Sequence, residues 1–206
     1  MRKLIGLLTL AAFTITSAQG SYNYEYCDLG LNFQFRGAAF IPLKCEQRQI
    51  FGRALPAVQF EISGRLCQDL FMCSDQLLLW GNIAWAGKKG KSLCFRYPCK
   101  LNLIPLSVGL EYQMSIWNCF DFYFGAGPAV SFIRIKNSDG FCVARNHRTG
   151  GGVMTKLGLR YDICHFLIDI FADYYFSSFK HLRNSIQNID HKFSSFFVGV
   201  GLGAHF

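Results

Sequence analysis

The chain has 206 residues, of which 16% are aromatic and only 17% charged, with 20 glycines and a formal net charge of +8. That length suits one domain, and no linker, internal repeat or low-complexity segment divides it. Beyond the first residues no run of eighteen apolar residues occurs, which excludes a helical membrane span and leaves a barrel as the way into a bilayer.

In chain order, Arg2 and Lys3 form a charged start, Leu4 to Ile15 an apolar stretch and Thr16-Ser17-Ala18 a small-residue cleavage site. This is the pattern of a signal peptide over residues 1–18, and about twelve apolar residues are too few for a membrane anchor. The expected mature chain, 19–206, then carries a formal +6 once Arg2 and Lys3 are removed. The first cysteine is Cys27, so no lipid-anchored cysteine directly follows the cleavage region.

Eight segments with period-two alternation follow, each a predicted strand. The first, Leu29 to Phe40, sets Leu31, Phe33 and Phe35 against Asn32, Gln34 and Arg36. The second, Pro56 to Leu66, sets Val58, Phe60 and Ile62 against Gln59, Glu61, Ser63 and Arg65. The third, Leu77 to Ala86, is nearly all apolar and leaves its phase open. In the fourth, Lys100 to Met114, Ile104, Leu106, Val108 and Leu110 oppose Ser107, Gly109, Glu111 and Gln113. The fifth, Phe120 to Ile135, opposes Phe120, Phe122 and Phe124 to Asp121, Tyr123 and Gly125. The sixth, Gly152 to Ile163, opposes Val153, Leu157 and Leu159 to Lys156, Gly158 and Arg160. The seventh, Phe166 to Phe179, opposes Ile168, Ile170 and Tyr174 to Asp169, Asp173 and Ser177. The eighth, Phe193 to Phe206, alternates Phe196, Val198, Val200, Leu202 and Ala204 with Ser195, Phe197, Gly199, Gly201, Gly203 and His205.

Three short links (Cys67 to Asp75, Ser115 to Cys119, Asp162 to His165) alternate with four longer ones (Ile41 to Leu55, Gly87 to Cys99, Lys136 to Gly151, Lys180 to Lys192). Short turns on one side and long loops on the other suit an eight-stranded antiparallel up-and-down transmembrane barrel. Alternation does not fix the sign of the faces, so a soluble lipocalin-like binding barrel stays open. Two features favour apolar residues outside. Aromatics collect toward both strand ends, with Trp85, Phe132, Phe176 and Phe196 near the loops and Phe120, Phe166 and Phe206 near the turns, as interfacial girdles do. The other face carries Arg36, Glu61, Arg65, Glu111, Lys156, Arg160, Asp169 and Asp173, mixed in sign. Inside a narrow barrel these must pair. We therefore expect an interior charge network that fills and seals the lumen, with Lys156 and Arg160 facing Asp169 and Asp173.

The long loops carry most of the basic charge. Lys88, Lys89, Lys91, Arg96 and Lys100 fall in or beside the second, Arg145 and Arg148 in the third, and Lys180 and Arg183 in the fourth; together the four loops reach a formal +11. Such a patch attracts polyanions. Lipopolysaccharide in the outer leaflet is the expected partner, an acidic host polysaccharide the alternative, and nucleic acid does not fit a secreted, surface-facing patch. All nine cysteines lie in loops and turns or at their edges: Cys45, Cys94, Cys99 and Cys142 on the loop side, and Cys27, Cys67, Cys73, Cys119 and Cys164 on the turn side. In an oxidising compartment these are disulfide candidates, and the odd number leaves one for a partner or free. No spacing suits zinc, and no cofactor is implied. Gly90-Lys91-Ser92 lacks the first glycine of a phosphate-binding loop, since Trp85 stands there. His147, His181 and His191 with Ser178, Ser185 or Ser194 are the candidates for a lipid-modifying enzyme. His191 and Ser194, three apart on a strand, fall on opposite faces.

The closing segment FSSFFVGVGLGAHF, ending in Phe206, resembles the last strand of bacterial outer-membrane barrels, which implies recognition of Phe206 by the barrel-assembly machinery. DFYFGAGPAVSFIRIKN and GGVMTKLGLRYDICHFLIDIFADYYF resemble the second half of small OmpA/OmpX-like domains, and the cysteine placement is similar to that of the cysteine-rich outer-membrane proteins of chlamydiae. The resemblance implies a structural, non-enzymatic barrel in the outer membrane with surface-exposed loops, disulfide-linked to other envelope proteins.

Overall fold

A computed structural model describes residues 30–71, 74–91, 98–117, 119–138, 143–163, 165–179 and 192–206. The expected signal peptide therefore lies outside the described residues.

Eight antiparallel strands close into one barrel in sequence order: β1 (Leu31–Pro42), β2 (Leu55–Gln68), β3 (Asp75–Lys91), β4 (Pro98–Trp117), β5 (Phe120–Ser138), β6 (Val143–Ile163), β7 (Phe166–Phe179) and β8 (Lys192–His205). β1 and β8 pair along ten or more residues, from Asn32 opposite His205 to Pro42 opposite Ser195. Phe206 extends that seam, exchanging both backbone hydrogen bonds with Leu31 at 3.0 and 2.9 Å. With the seam closed, no strand edge is left in the barrel wall.

The expected alternation appears in burial, with the apolar side outside. Phe35, Phe60, Ile83, Leu110, Phe124, Leu157, Ile170 and Leu202 are exposed, while Arg36, Glu61, Glu111, Tyr123, Lys156 and Asp169 are buried. A lipocalin-like barrel has the opposite sign, so that alternative fails. β3, whose phase the sequence left open, turns Leu78, Trp80, Asn82, Ala84 and Ala86 inward and Ile83 and Trp85 outward. Its composition hid the phase because these inward positions other than Asn82 are apolar too.

Two of the expected long loops are mostly strand. β3 pairs with β4 as far as Lys91 opposite Pro98, and β5 with β6 as far as Ser138 opposite Val143. Lys88, Lys89 and Lys91 thus belong to β3, and Arg145 and Arg148 to β6, rather than to loops; Arg96, Lys180 and Arg183 lie outside the described residues. Backbone pairing satisfies the ladder above the apolar belt, so the strands continue after the side chains turn polar. The first long loop holds a short helix, α1 (Cys45–Phe51), which the alternation gave no reason to expect. It folds over the loop end of the lumen with Phe51 buried. Arg48 Nε donates to the Pro42 carbonyl at 2.6 Å, and Lys88 Nζ donates to that of Ala54 at 2.8 Å. Gly90 admits the helix, since a Cβ there would collide with the Ile50 carbonyl oxygen.

On the turn side Asp75 organises the β2–β3 link. Its carboxylate accepts from the backbone of Leu70 at 2.6 Å and Phe71 at 2.8 Å, and from the Tyr112 hydroxyl at 2.6 Å. Asp69 and Ser74 take positive φ values of 54° and 77° there, and the Asp69 carboxylate accepts from the Ser74 backbone at 2.7 Å.

A closed lumen as the candidate functional site

The lumen is filled in two layers. Nearer the turns, inward positions of five strands bring charged side chains together. Arg36 of β1 donates through Nη1 to Glu61 of β2 at 2.8 Å, meets Asp169 of β7 at 2.7 Å through Nη2, and stands 3.8 Å from Asp173. Its Nε donates to Gln34 at 2.9 Å. Lys156 of β6 bridges Glu61 and Glu111 of β4, each at 2.5 Å, and Arg160 reaches Glu111 at 3.2 Å and Gln113 at 2.5 Å. These seven charged groups are essentially inaccessible to solvent.

Tyr123 of β5 knits the layer together. Its hydroxyl donates to Asp169 at 2.8 Å and accepts from Arg36 at 3.2 Å, while its ring lies 5.2 Å from Lys156 Nζ and 4.9 Å from the Arg160 guanidinium carbon. Trp80 offers Lys156 a second ring face at 4.8 Å. Small residues make room for these long side chains. A Cβ on Gly158 would collide with the Tyr123 hydroxyl, and one on Gly201 would lie 2.8 Å from Arg36 Cγ.

The pairing differs from the expected one. Lys156 and Arg160 bond Glu61 and Glu111 rather than Asp169 and Asp173, which belong to Arg36 instead. Arg160 and Asp169 are direct cross-strand neighbours on β6 and β7. In a closed barrel, however, inward side chains converge on the axis, and long ones reach strands on the far side. Arg65 is not part of the network. It is half-buried at the turn-side mouth, where Nη1 donates to Gln68 at 3.3 Å. The residues the sequence reading missed are Tyr123, Trp80 and Gln113, an aromatic pair and an amide whose inward phase alone hinted at a role.

Nearer the loops the lumen is apolar. Phe40, Leu55, Leu101, Leu103, Ile133, Phe179 and Phe197 are buried in one cluster with Phe51 of α1, and Phe40 and Phe197 meet edge-to-face at 4.9 Å. The charge network expected to fill the lumen therefore occupies only its turn-side part, and apolar side chains fill the rest. Tyr175 at the boundary shares a hydrogen bond with Ser131, and Ser107 donates to Met154 Sδ at 3.0 Å. At the turn-side mouth, Asn32, Arg65, Gln113, Asp121, Asp162 and His205 line a polar recess of about 130 Å³ that stops at Arg160.

Outside, Trp85, Phe132 and Phe196 stand exposed toward the loops, and Trp117, Phe120, Phe166 and Phe206 toward the turns. Trp117 and Phe120 meet edge-to-face at 6.2 Å. Aromatic girdles bounding an apolar belt define a membrane wall.

Of the remaining candidates, Cys45, Cys67 and Cys119 are exposed with free thiols. Cys99 lies in β4, and Cys27, Cys73, Cys94, Cys142 and Cys164 lie outside the described residues. His147 is exposed on β6 opposite Arg134, whereas His181, Ser185 and His191 lie outside the described residues. Among the described residues no three His, Cys, Asp or Glu side chains group as metal ligands.

Barrel closure, strand order, outward belt and girdles together define a small eight-stranded β-barrel of the bacterial outer membrane. Solved structures of that class are similar to it. The chain matches OprG of Pseudomonas aeruginosa at a TM-score of 0.52 and 16% identity, covering 85% of this chain and 96% of OprG. Neisserial surface protein A gives 0.50 and 15%, covering 86% and 97%. Ail, the attachment invasion locus protein of Yersinia pestis, in complex with the heparin analogue sucrose octasulfate, gives 0.50 and 12%, covering 84% and 96%. No protein-family model matches the chain, and no curated protein matches it. The likenesses are of fold.

Proposed function

We propose that this chain is a structural envelope protein whose barrel conducts nothing, anchored by its belt and presenting a basic outer surface. The observation that carries this reading is the double closure of the lumen. The bridge Arg36–Glu61–Lys156–Glu111–Arg160 crosses the barrel without solvent access, and the apolar cluster under α1 closes the loop end. An eight-stranded barrel has room for side chains and little else. The strand supports a role for Phe206 as the assembly signal, since it hydrogen-bonds into the closing seam. The exposed thiols of Cys45, Cys67 and Cys119 are available for links to other envelope proteins.

The test is a planar-bilayer recording of the heat-modifiable monomer. The expected result is a boiling-dependent mobility shift with no stable conductance. A shifted monomer that opens long-lived channels overturns the sealed-barrel reading. Gels of outer-membrane fractions run with and without reductant examine the envelope links, and reductant-sensitive higher bands are expected. Catalysis is not proposed; lipid A whose mass changes on expression of the chain would reverse that.

A further inference from the structure

We infer that the outer wall of β3 to β6, just above the apolar belt on the loop side, binds the phosphates of an outer-leaflet glycolipid. This rests on the membrane placement of the barrel and is independent of whether the lumen is sealed. β3 to β6 have 17, 20, 19 and 21 residues, whereas β1 has 12 and β2, β7 and β8 have 14 each. The surplus rises above the belt on one sector of the wall.

The register there places cations side by side. At the belt's upper edge Ile104 stands opposite Phe132, itself opposite Thr149. The next outward row sets Asn102 opposite Arg134, and Arg134 opposite His147. The row above sets Lys89 opposite Lys100, Lys100 opposite Lys136, and Lys136 opposite Arg145. Leu101, Leu103 and Ile133 between these positions are buried, so Lys100 and Arg134 share the outward face of Ile104 and Phe132. Lys89 and Lys100 are exposed and Lys136 half-buried.

Directly opposed residues lie about 5 Å apart, so three lysines span only about 10 Å of wall. Lys100 is four residues beyond Ile104. At about 3.3 Å per residue and a tilt near 40°, that puts the row about 10 Å above the belt's edge, at headgroup depth. Trp85 marks the same boundary. Its ring leans over Gly87, where a Cβ would lie 2.9 Å from Cζ2.

Like charges placed directly opposite repel, so such a row concentrates anions. A phosphorylated glycolipid fits both halves of the wall, with acyl chains on the belt and phosphates on the lysines. A soluble polyanion meets only the cations, and this continuity with the belt favours the lipid.

The test uses the folded full chain in phosphatidylcholine nanodiscs, titrated with bisphosphorylated lipid A and with the same lipid A after dephosphorylation. Wild type is expected to prefer the phosphorylated form by about tenfold, and the combined Lys89→Gln, Lys100→Gln and Lys136→Gln variant to lose the preference while keeping its heat-dependent mobility shift. Lys88→Gln, which alters an inward-facing lysine, keeps it. If the triple variant does not fold, Lys100→Gln alone is expected to reduce the preference about threefold. A wild type without preference, a preference unchanged in the folded variants, or a heparin fragment that binds where lipid A shows no preference overturns the inference. Absence of a heat shift in wild type would instead undo the barrel reading.

Discussion

Replacing Lys156 by Met tests the lumen most directly. Among the described residues Lys156 is the only cation that joins Glu61 to Glu111, at 2.5 Å from each, and all three are buried. The seven charges of the network comprise three cations and four carboxylates, so Lys156→Met leaves two against four. Removing one partner of a buried pair costs about 3–5 kcal/mol. Because Glu61 keeps Arg36 at 2.8 Å and Glu111 keeps Arg160 at 3.2 Å, the loss should lie near the lower end, about 3 kcal/mol. Glu61→Gln leaves Lys156 with Glu111 and Arg36 with Asp169, and should cost about 2 kcal/mol, the worth of a charged hydrogen bond. Independent sites would give about 5 kcal/mol for the double variant. A bridged pair should cost about 3 kcal/mol, since removing both partners leaves neither one stranded, which makes the coupling about 2 kcal/mol. The assay is urea unfolding in lipid vesicles followed by the gel-mobility shift. Single-variant losses that sum to the double within about 0.5 kcal/mol would refute the bridge.

Asp173 should behave in the opposite way. Among the described residues nothing donates a hydrogen bond to its carboxylate oxygens and Arg36 is 3.8 Å away, so Asp173→Asn balances the charges of the network at three against three. Unfolding in the same vesicles is expected to show stability unchanged or raised; a loss above about 2 kcal/mol would mean that Arg36 depends on both aspartates. In the apolar layer Phe197→Ala removes a fully buried ring packed on Phe40 and should cost about 3–5 kcal/mol by the same measurement. Topology can be read with single-cysteine variants and a membrane-impermeant maleimide. Cys45 on the loop side should label in intact cells, whereas Cys67 and Cys119 beside the turns should label only after permeabilisation; the reverse pattern would invert the barrel.

What the sequence made legible follows from period two. Where one face was apolar and the other polar, as in β5 to β8, the inward set could be read residue by residue down to Gly201. Alternation reports a residue's face and nothing about its height or its partner across the lumen. That is why Arg36, Lys156, Arg160 and the four carboxylates could be placed inside while their pairing could not. β3 resisted because Leu78, Trp80, Ala84 and Ala86 meet other side chains while Ile83 and Trp85 meet lipid, so both environments select apolar residues. α1 was hidden for a different reason. Its seven residues are too few for helical periodicity to show, and Phe51 docks on a surface that exists only once the barrel has closed.

The two layers of the lumen solve different problems, and their order along the axis is informative. Charged groups without solvent must be paired, so the turn-side layer holds its geometry only while six strands supply their members: β1, β2, β4, β6 and β7 each contribute a charge, and β5 contributes Tyr123. Buried polar groups of this kind reward one register, because a one-residue slip of any of the five charge-bearing strands turns its charge to the lipid. The apolar layer, by contrast, tolerates small displacements and gains from area alone. Register is therefore specified near the short turns, and the seal lies near the loops, where α1 adds Phe51 to the apolar cluster. Lys156→Met with Phe197→Ala separates these roles. The first should broaden the distribution of folded species seen by the mobility shift, and the second should lower stability while leaving a single folded band.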